Sequence, residues 1–182
     1  MIKLKDLLNE AQLSKLQIFS PGTGGVSSQG WKFDPNKVPT GRLDVSSAVQ
    51  YGGRCFNKPQ GVFWTSSYKQ KFKGSAWTDW KKKNQPTWRT GMGAVFEIQG
   101  SPKIAKVRSN KDYDKLVKKY QNDTSDMCGG GQYYLNWHKL ANDFDGFQLA
   151  SSKFIPGVHQ WDVESTVWFN MKKLNFIGTT KV

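Results

Sequence analysis

Apolar positions along this chain change period several times, and each change marks an element. Within residues 1–16, Ile2, Leu4, Leu7, Leu8, Ala11 and Leu16 fall at mixed spacings of three and four, predicting an amphipathic helix that is separable from the rest of the chain. Leu16 to Phe19 is a short apolar strand candidate running into Gly, Ser and Thr, after which residues 20–60 read mostly as loop. Val62, Phe63 and Trp64 in GVFWTSS, residues 61–67, suit a buried strand, and a helix is predicted from Ser75 through Lys83. GAVFEIQG at 93–100 and KIAKV at 103–107 make two more strands. Ser109 and Asp112 stand at capping-box spacing ahead of Tyr113, Leu116, Val117 and Tyr120, predicting a helix over 110–120. GGGQ at 129–132 breaks the chain, Asn136 is placed to cap a short helix over WHKLAND, and Asp145-Gly146 leads into the strand FQLAS. The tail carries strands at about 163–169 and 173–177. Strands outnumber helices and the two are mixed rather than alternating, so the fold class is α+β. One domain is expected over 16–182, with 1–15 as an N-terminal helix or removable leader.

Composition sharpens this picture. The chain has 182 residues, 37% hydrophobic, with 8 Trp and 11 Phe, too much bulky apolar surface for a disordered tail. Its 27 Lys and Arg against 14 Asp and Glu leave a charge of +13, and residues 61–119 alone, with 14 basic and 4 acidic side chains, supply +10 of it. There Lys69, Lys71, Lys73, Lys81, Lys82, Lys83 and Arg89 interleave with Tyr68, Phe72, Trp77, Trp80 and Trp88. Lys and Arg release counterions from phosphate and aromatic faces stack on bases, so segment 69–89 is a candidate contact for DNA or another polyanion. A solvated basic face with its aromatics turned inward fits the same pattern.

Several chemistries lack their residues. No apolar run approaches the roughly 18–20 residues of a membrane helix, so no membrane partner is expected. Neither a P-loop nor a strand-to-helix GxGxxG is present. Cys55, Cys128, His138 and His159 show no paired ligand spacing, so no metal is expected, and a cytoplasmic, reducing setting is the default. No G-x-S-x-G elbow accompanies the two histidines.

WDVESTVWFN at 161–170 stands apart, because Asp162 and Glu164 at i and i+2 open an otherwise apolar strand on one face. With GVFWTSS upstream and KLANDFDGFQL between, this tail resembles the ADP-ribosyltransferase fold. The shared pattern is a Gly-aromatic-Trp-x-Ser strand, a Trp-rich helix, a Phe-Asp-Gly-hydrophobic strand and a terminal Trp-Asp-x-x-Ser strand. The resemblance covers about residues 16–177 and implies split mixed or antiparallel sheets flanked by short helices, with NAD as substrate and no metal. It implies Glu164 as the catalytic glutamate holding the nicotinamide ribose, and Asp162 as a second polar residue that selects or activates the acceptor. Thr65, Ser66 and Ser67 match the supporting strand, and Tyr68, Trp77 or Trp80 the aromatic face against nicotinamide. Family members usually carry an Arg or His on the first strand to orient NAD, whereas here the stretch reads Leu16-Gln17-Ile18-Phe19-Ser20 with Gly22, Thr23 and Gly24 after it. Amides of that Gly-rich turn, or Arg42 or Arg54, are the substitutes on offer. Glu164 also admits a plainer role, as an edge-strand carboxylate paired with a lysine.

Leu8-Asn9-Glu10 before Ala11 resembles the Leu-x-Glu/Ala processing site of tailed-phage prohead proteins. That implies a leader ending at Glu10, a virion interior location and later action in host cytoplasm; an ordinary N-terminal helix is the alternative. Two function classes fit these residues. One is an NAD-dependent transferase moving ADP-ribose to a host protein or nucleic acid. The other is a non-enzymatic nucleic-acid-binding or virion structural protein on the same fold.

Overall fold

The computed structural model describes residues 15–19, 38–46, 50–51, 54–55, 58–70, 74–84, 92–121, 134–150, 155, 158, 161 and 163–181. The expected leader and its processing site lie outside them. Seven strands form one sheet in the order β6-β7-β8-β4-β1-β5-β9, and every neighbouring pair is antiparallel except β6 with β7. These are β1 (Leu16–Phe19), β4 (Phe63–Ser67), β5 (Met92–Ile98), β6 (Ile104–Val107), β7 (Gly146–Leu149), β8 (Ser165–Trp168) and β9 (Leu174–Lys181). A separate two-residue pair, β2 (Gln50–Tyr51) with β3 (Arg54–Cys55), lies in the segment that reads as loop. Helices α1 (Ala76–Asn84), α2 (Asn110–Lys119) and α3 (Trp137–Asp143) complete the α+β architecture.

The expectation of split sheets is corrected by the structure: hydrogen bonding is continuous, and the division falls inside one strand. Phe63, Trp64 and Thr65 of β4 pair with Trp168, Val167 and Thr166 of β8, while Ser66 and Ser67 pair with Ile18 and Gln17 of β1. The strand thus hands over from one neighbour to the other at Thr65 and Ser66.

Helix ends obey local chemistry. Ser109 accepts from the Asp112 N–H, satisfying a donor that the first turn of α2 leaves open, and the Asp112 carboxylate accepts from the N–H of Arg108, just before the cap, at 3.0 Å. Asn136 caps α3 by accepting from Lys139 N–H at 2.9 Å. At α1, Ser75 and Thr78 do this reciprocally: Thr78 N–H donates to Ser75 Oγ and Ser75 N–H to Thr78 Oγ1.

The core occupies both faces of the sheet because side chains alternate across a strand. On the helix face, Tyr113 and Val117 of α2 and Trp137, Leu140 and Ala141 of α3 cover Ala105, Val107, Phe147, Leu149 and Val167. Trp137 stacks on Trp161 at 5.9 Å and meets Phe147 edge-on at 5.0 Å. The opposite face is apolar at one end only, where Phe63, Ala94, Phe96, Trp168 and Met171 gather.

Asp145 clamps the entrance to β7. Its carboxylate accepts from the Lys103 N–H at 2.9 Å and from Asn170 Nδ2 at 2.8 Å, while its backbone carbonyl accepts from Phe169 and Asn170 N–H. Burial alone would raise its pKa, but the Lys103 and Asn170 bonds and the nearby Lys173 and Arg42 charges outweigh it and hold the carboxyl below the usual range. Next to it, Gly146 sits where a Cβ would lie 2.7 Å from the Val167 carbonyl oxygen and 3.1 Å from Ile104 Cδ1. Gly146→Ala should therefore cost about 1–3 kcal/mol of stability by forcing β7 away from β8, read as a lower midpoint in denaturant titration; an unchanged midpoint would show that the strands yield freely.

Candidate functional site

Cross-strand register lines up polar side chains on the second face. Lys106 of β6 is opposite Gln148 of β7, Gln148 is opposite Thr166 of β8, and Thr166 is opposite Thr65 of β4. Alternation puts Glu164, two residues before Thr166, and Ser67, two after Thr65, on the same face, with Gln17 of β1 opposite Ser67. One step the other way the same rows read Ile104, Gly146, Trp168 and Phe63. This face is accordingly half apolar core and half polar site.

Glu164 occupies the point where β8 and β4 part. Tyr68 N–H donates to Leu16 O on the β1 side, so the preceding N–H, that of Ser67, points toward β8. The ladder has ended there, and by register the residue facing Ser67 is Glu164. Its carboxylate takes the missing rung: Oε2 accepts from Ser67 N–H at 3.0 Å and Ser66 Oγ at 3.0 Å, and Oε1 from Ser67 Oγ at 2.9 Å and Gln148 Nε2 at 3.0 Å. Ser66 Oγ is also 3.1 Å from the Glu164 carbonyl oxygen. One hydroxyl hydrogen serves only one of these two acceptors.

Beneath lies a sealed layer. Thr65 Oγ1 accepts from Trp168 Nε1 and donates to Gln17 Oε1, both at 2.8 Å, and Gln17 and Thr166 have no exposed surface. Among the described residues, three buried side-chain polar atoms have no hydrogen-bond partner: Gln148 Oε1, Thr166 Oγ1 and Trp77 Nε1. Lys106 is half-buried; burial and the Arg108 charge lower its pKa, and Glu164 pulls it partly back.

The residues expected from sequence divide clearly. Glu164, Ser66, Ser67 and, behind them, Thr65 are brought together. Tyr68 instead packs with Ile18 and Val95, 7% exposed, so its ring serves the core. Trp77 and Trp80 stack at 4.9 Å and stay half-exposed. Lys81 is buried, its pKa lowered by that burial, which leaves Lys82 and Lys83 as the exposed cations of the triplet. Arg42 is committed to the end of α3, donating to the Ala141 and Phe144 carbonyls, and lies 3.5 Å from Asp145. No cation is carried by β1, where Gln17 is turned to Thr65. Asp162, Ser20, Gly22, Thr23 and Arg89 lie outside the described residues, as does the side chain of Arg54, whose backbone is in β3. Among the described residues no three His, Cys, Asp or Glu side chains gather as a metal ion requires, and no helix is long and apolar enough to cross a membrane.

Sequence reasoning missed Gln17, Gln148 and Lys106. A signal existed for the first two, since an amide inside the short strands LQIF and GFQL is costly to bury without a partner. Comparison with protein-family models, with curated proteins and with solved structures finds no match.

The Thr65 hydroxyl supports this whole layer. Thr65→Val keeps the shape but removes the acceptor of Trp168 Nε1 and the hydroxyl donor to Gln17 Oε1, and should destabilise by about 2 kcal/mol or more in denaturant titration; a loss under about 0.5 kcal/mol would show that these two bonds add little to stability.

Proposed function

We propose that this chain is an NAD-dependent transferase that moves ADP-ribose onto a host protein or nucleic acid, with Glu164 as its acidic centre. The observation that supports this best is the Glu164 carboxylate itself, half-exposed at the parting of β4 and β8 and oriented by Ser66, Ser67 and Gln148. A ribose needs acceptors for its hydroxyls, and this cluster can free one. When Ser66 passes its hydrogen to the Glu164 carbonyl, an Oε2 lone pair opens to a sugar hydroxyl with no movement of the chain. The reaction breaks the bond between ribose C1′ and the nicotinamide nitrogen, and nicotinamide leaves neutral with the electron pair. Positive charge grows on the ribose, where a fixed carboxylate stabilises it most. The acceptor's nucleophile then bonds to C1′ and gives up its proton. Half-exposed Trp77 and Trp80 offer flat surfaces for an aromatic ring.

Glu164→Gln preserves volume and removes the charge. Nicotinamide release from labelled NAD should fall about a hundredfold or more with the melting temperature retained. Near wild-type release would remove Glu164 from the mechanism, and absence of release by the wild type with host lysate present would overturn the transferase reading.

The exposed Lys82 and Lys83 favour a polyanion partner, either as the acceptor or, in a non-enzymatic protein, as the main ligand. Replacing both with Gln should weaken DNA binding at low salt and lower the slope of log K against log salt by up to about 2. An unchanged slope would assign them to an inert solvated face.

A further inference from the structure

We infer that Gln148 is the positioning residue of Glu164: its amide holds the carboxylate toward Ser66 and Ser67, and the fold leaves its own carbonyl unpaired to keep that contact. As to catalysis, this rests on the transferase reading above; as to geometry, it does not.

The amide has two ways to sit. With Nε2 toward Glu164 it donates to Oε1 at 3.0 Å and Oε1 of Gln148 is left with no partner, 2% of the residue being exposed. Flipped, it would set its oxygen against the carboxylate, two acceptors facing each other. The carboxylate therefore selects the first orientation. Thr166, directly across on β8, does not relieve the orphan, since its Oγ1 is itself buried without a partner. An apolar side chain of the same length at 148 would remove the unpaired carbonyl from the interior, which ordinarily favours folding. That the glutamine stands there marks a local cost for the contact with Glu164. From β6, Lys106 faces Gln148 on its other side; burial and the Arg108 charge lower its pKa, and the Glu164 charge raises it in part. The carboxylate is thus framed by neutral donors on β4 and β7 and by one cation beyond them.

Gln148→Met keeps the length and removes both the donor and the orphaned acceptor. Three measurements test the inference: melting temperature, the position of Glu164 in a crystal structure of the variant, and kcat and KM for NAD cleavage in Gln148→Met, Glu164→Gln and the double variant. The expected result is an unchanged or raised melting temperature, a displaced Glu164 side chain, and kcat lowered tenfold or more at similar KM. Because Gln148 acts through Glu164, adding Gln148→Met to Glu164→Gln should change kcat by less than twofold. A lowered melting temperature with Glu164 in place would overturn the inference and make Gln148 a core prop, as would rate losses that multiply in the double variant. If the wild type cleaves no NAD while Gln148→Met is stable and Glu164 moves, the positioning role stands and the transferase reading falls.

Discussion

The backbone N–H of Ser67 reaches toward a strand that is no longer there, and the Glu164 side chain answers it. Up to Thr65 and Thr166 the ladder between β4 and β8 is intact; beyond it, a half-buried amide must find another acceptor or cost the fold a lost hydrogen bond. A carboxylate on the departing strand is well suited, because a charged acceptor makes a stronger bond than a carbonyl and has lone pairs left for the two serine hydroxyls. The sheet can then change partners in the middle of β4, pairing with β8 through Thr65 and with β1 from Ser66, without losing a rung. The place where the sheet divides and the place where a charge is held are one place.

That arrangement needs β8 anchored on both sides of the parting. At its far end Asp145 bonds to Lys103, Phe169 and Asn170, tying the starts of β6 and β7 to the end of β8, and Gly146 lets β7 lie against the Val167 carbonyl. The apolar half of the same face, from Phe63 and Trp168 across to Ala94 and Phe96, supplies burial that the polar half does not. The polar half buries Gln17, Thr65, Gln148 and Thr166, of which Gln148 and Thr166 keep an unpaired atom. Stability concentrated at one end of the sheet tolerates strain in hydrogen bonding at the other, which is the usual division between scaffold and site.

Charge is distributed on a different principle. Apart from Lys81, the lysines of α1 and α2 sit on exposed helix surfaces, with Lys82, Lys83, Lys118 and Lys119 near helix C-termini, where the macrodipole favours cations. Lys81 shows that adjacency in sequence does not mean adjacency in role: on a helix the next residue is turned by about 100°, so one of three consecutive lysines faces inward.

Much of the local structure is legible in the residues alone: Ser75, Ser109 and Asn136 start the three helices, and apolar runs mark β1 and β4–β8 near their observed bounds, although β9 runs on to Lys181 and β2 and β3 lie in a segment that reads as loop. The sequence also made Glu164 conspicuous, because a carboxylate in an otherwise apolar strand stands out, whereas Thr65-Ser66-Ser67 entered only through the resemblance to a known fold. Caps and periodicity act over three or four residues, so a linear reading recovers them. The tertiary structure alone decided that Gln148, 16 residues from Glu164, donates to it, that Thr65 joins Trp168 to Gln17, that Tyr68 faces the core, and that β4 belongs to both halves of one sheet. These outcomes depend on strand order and register, and a shift of one residue in register would turn every one of those side chains to the other face.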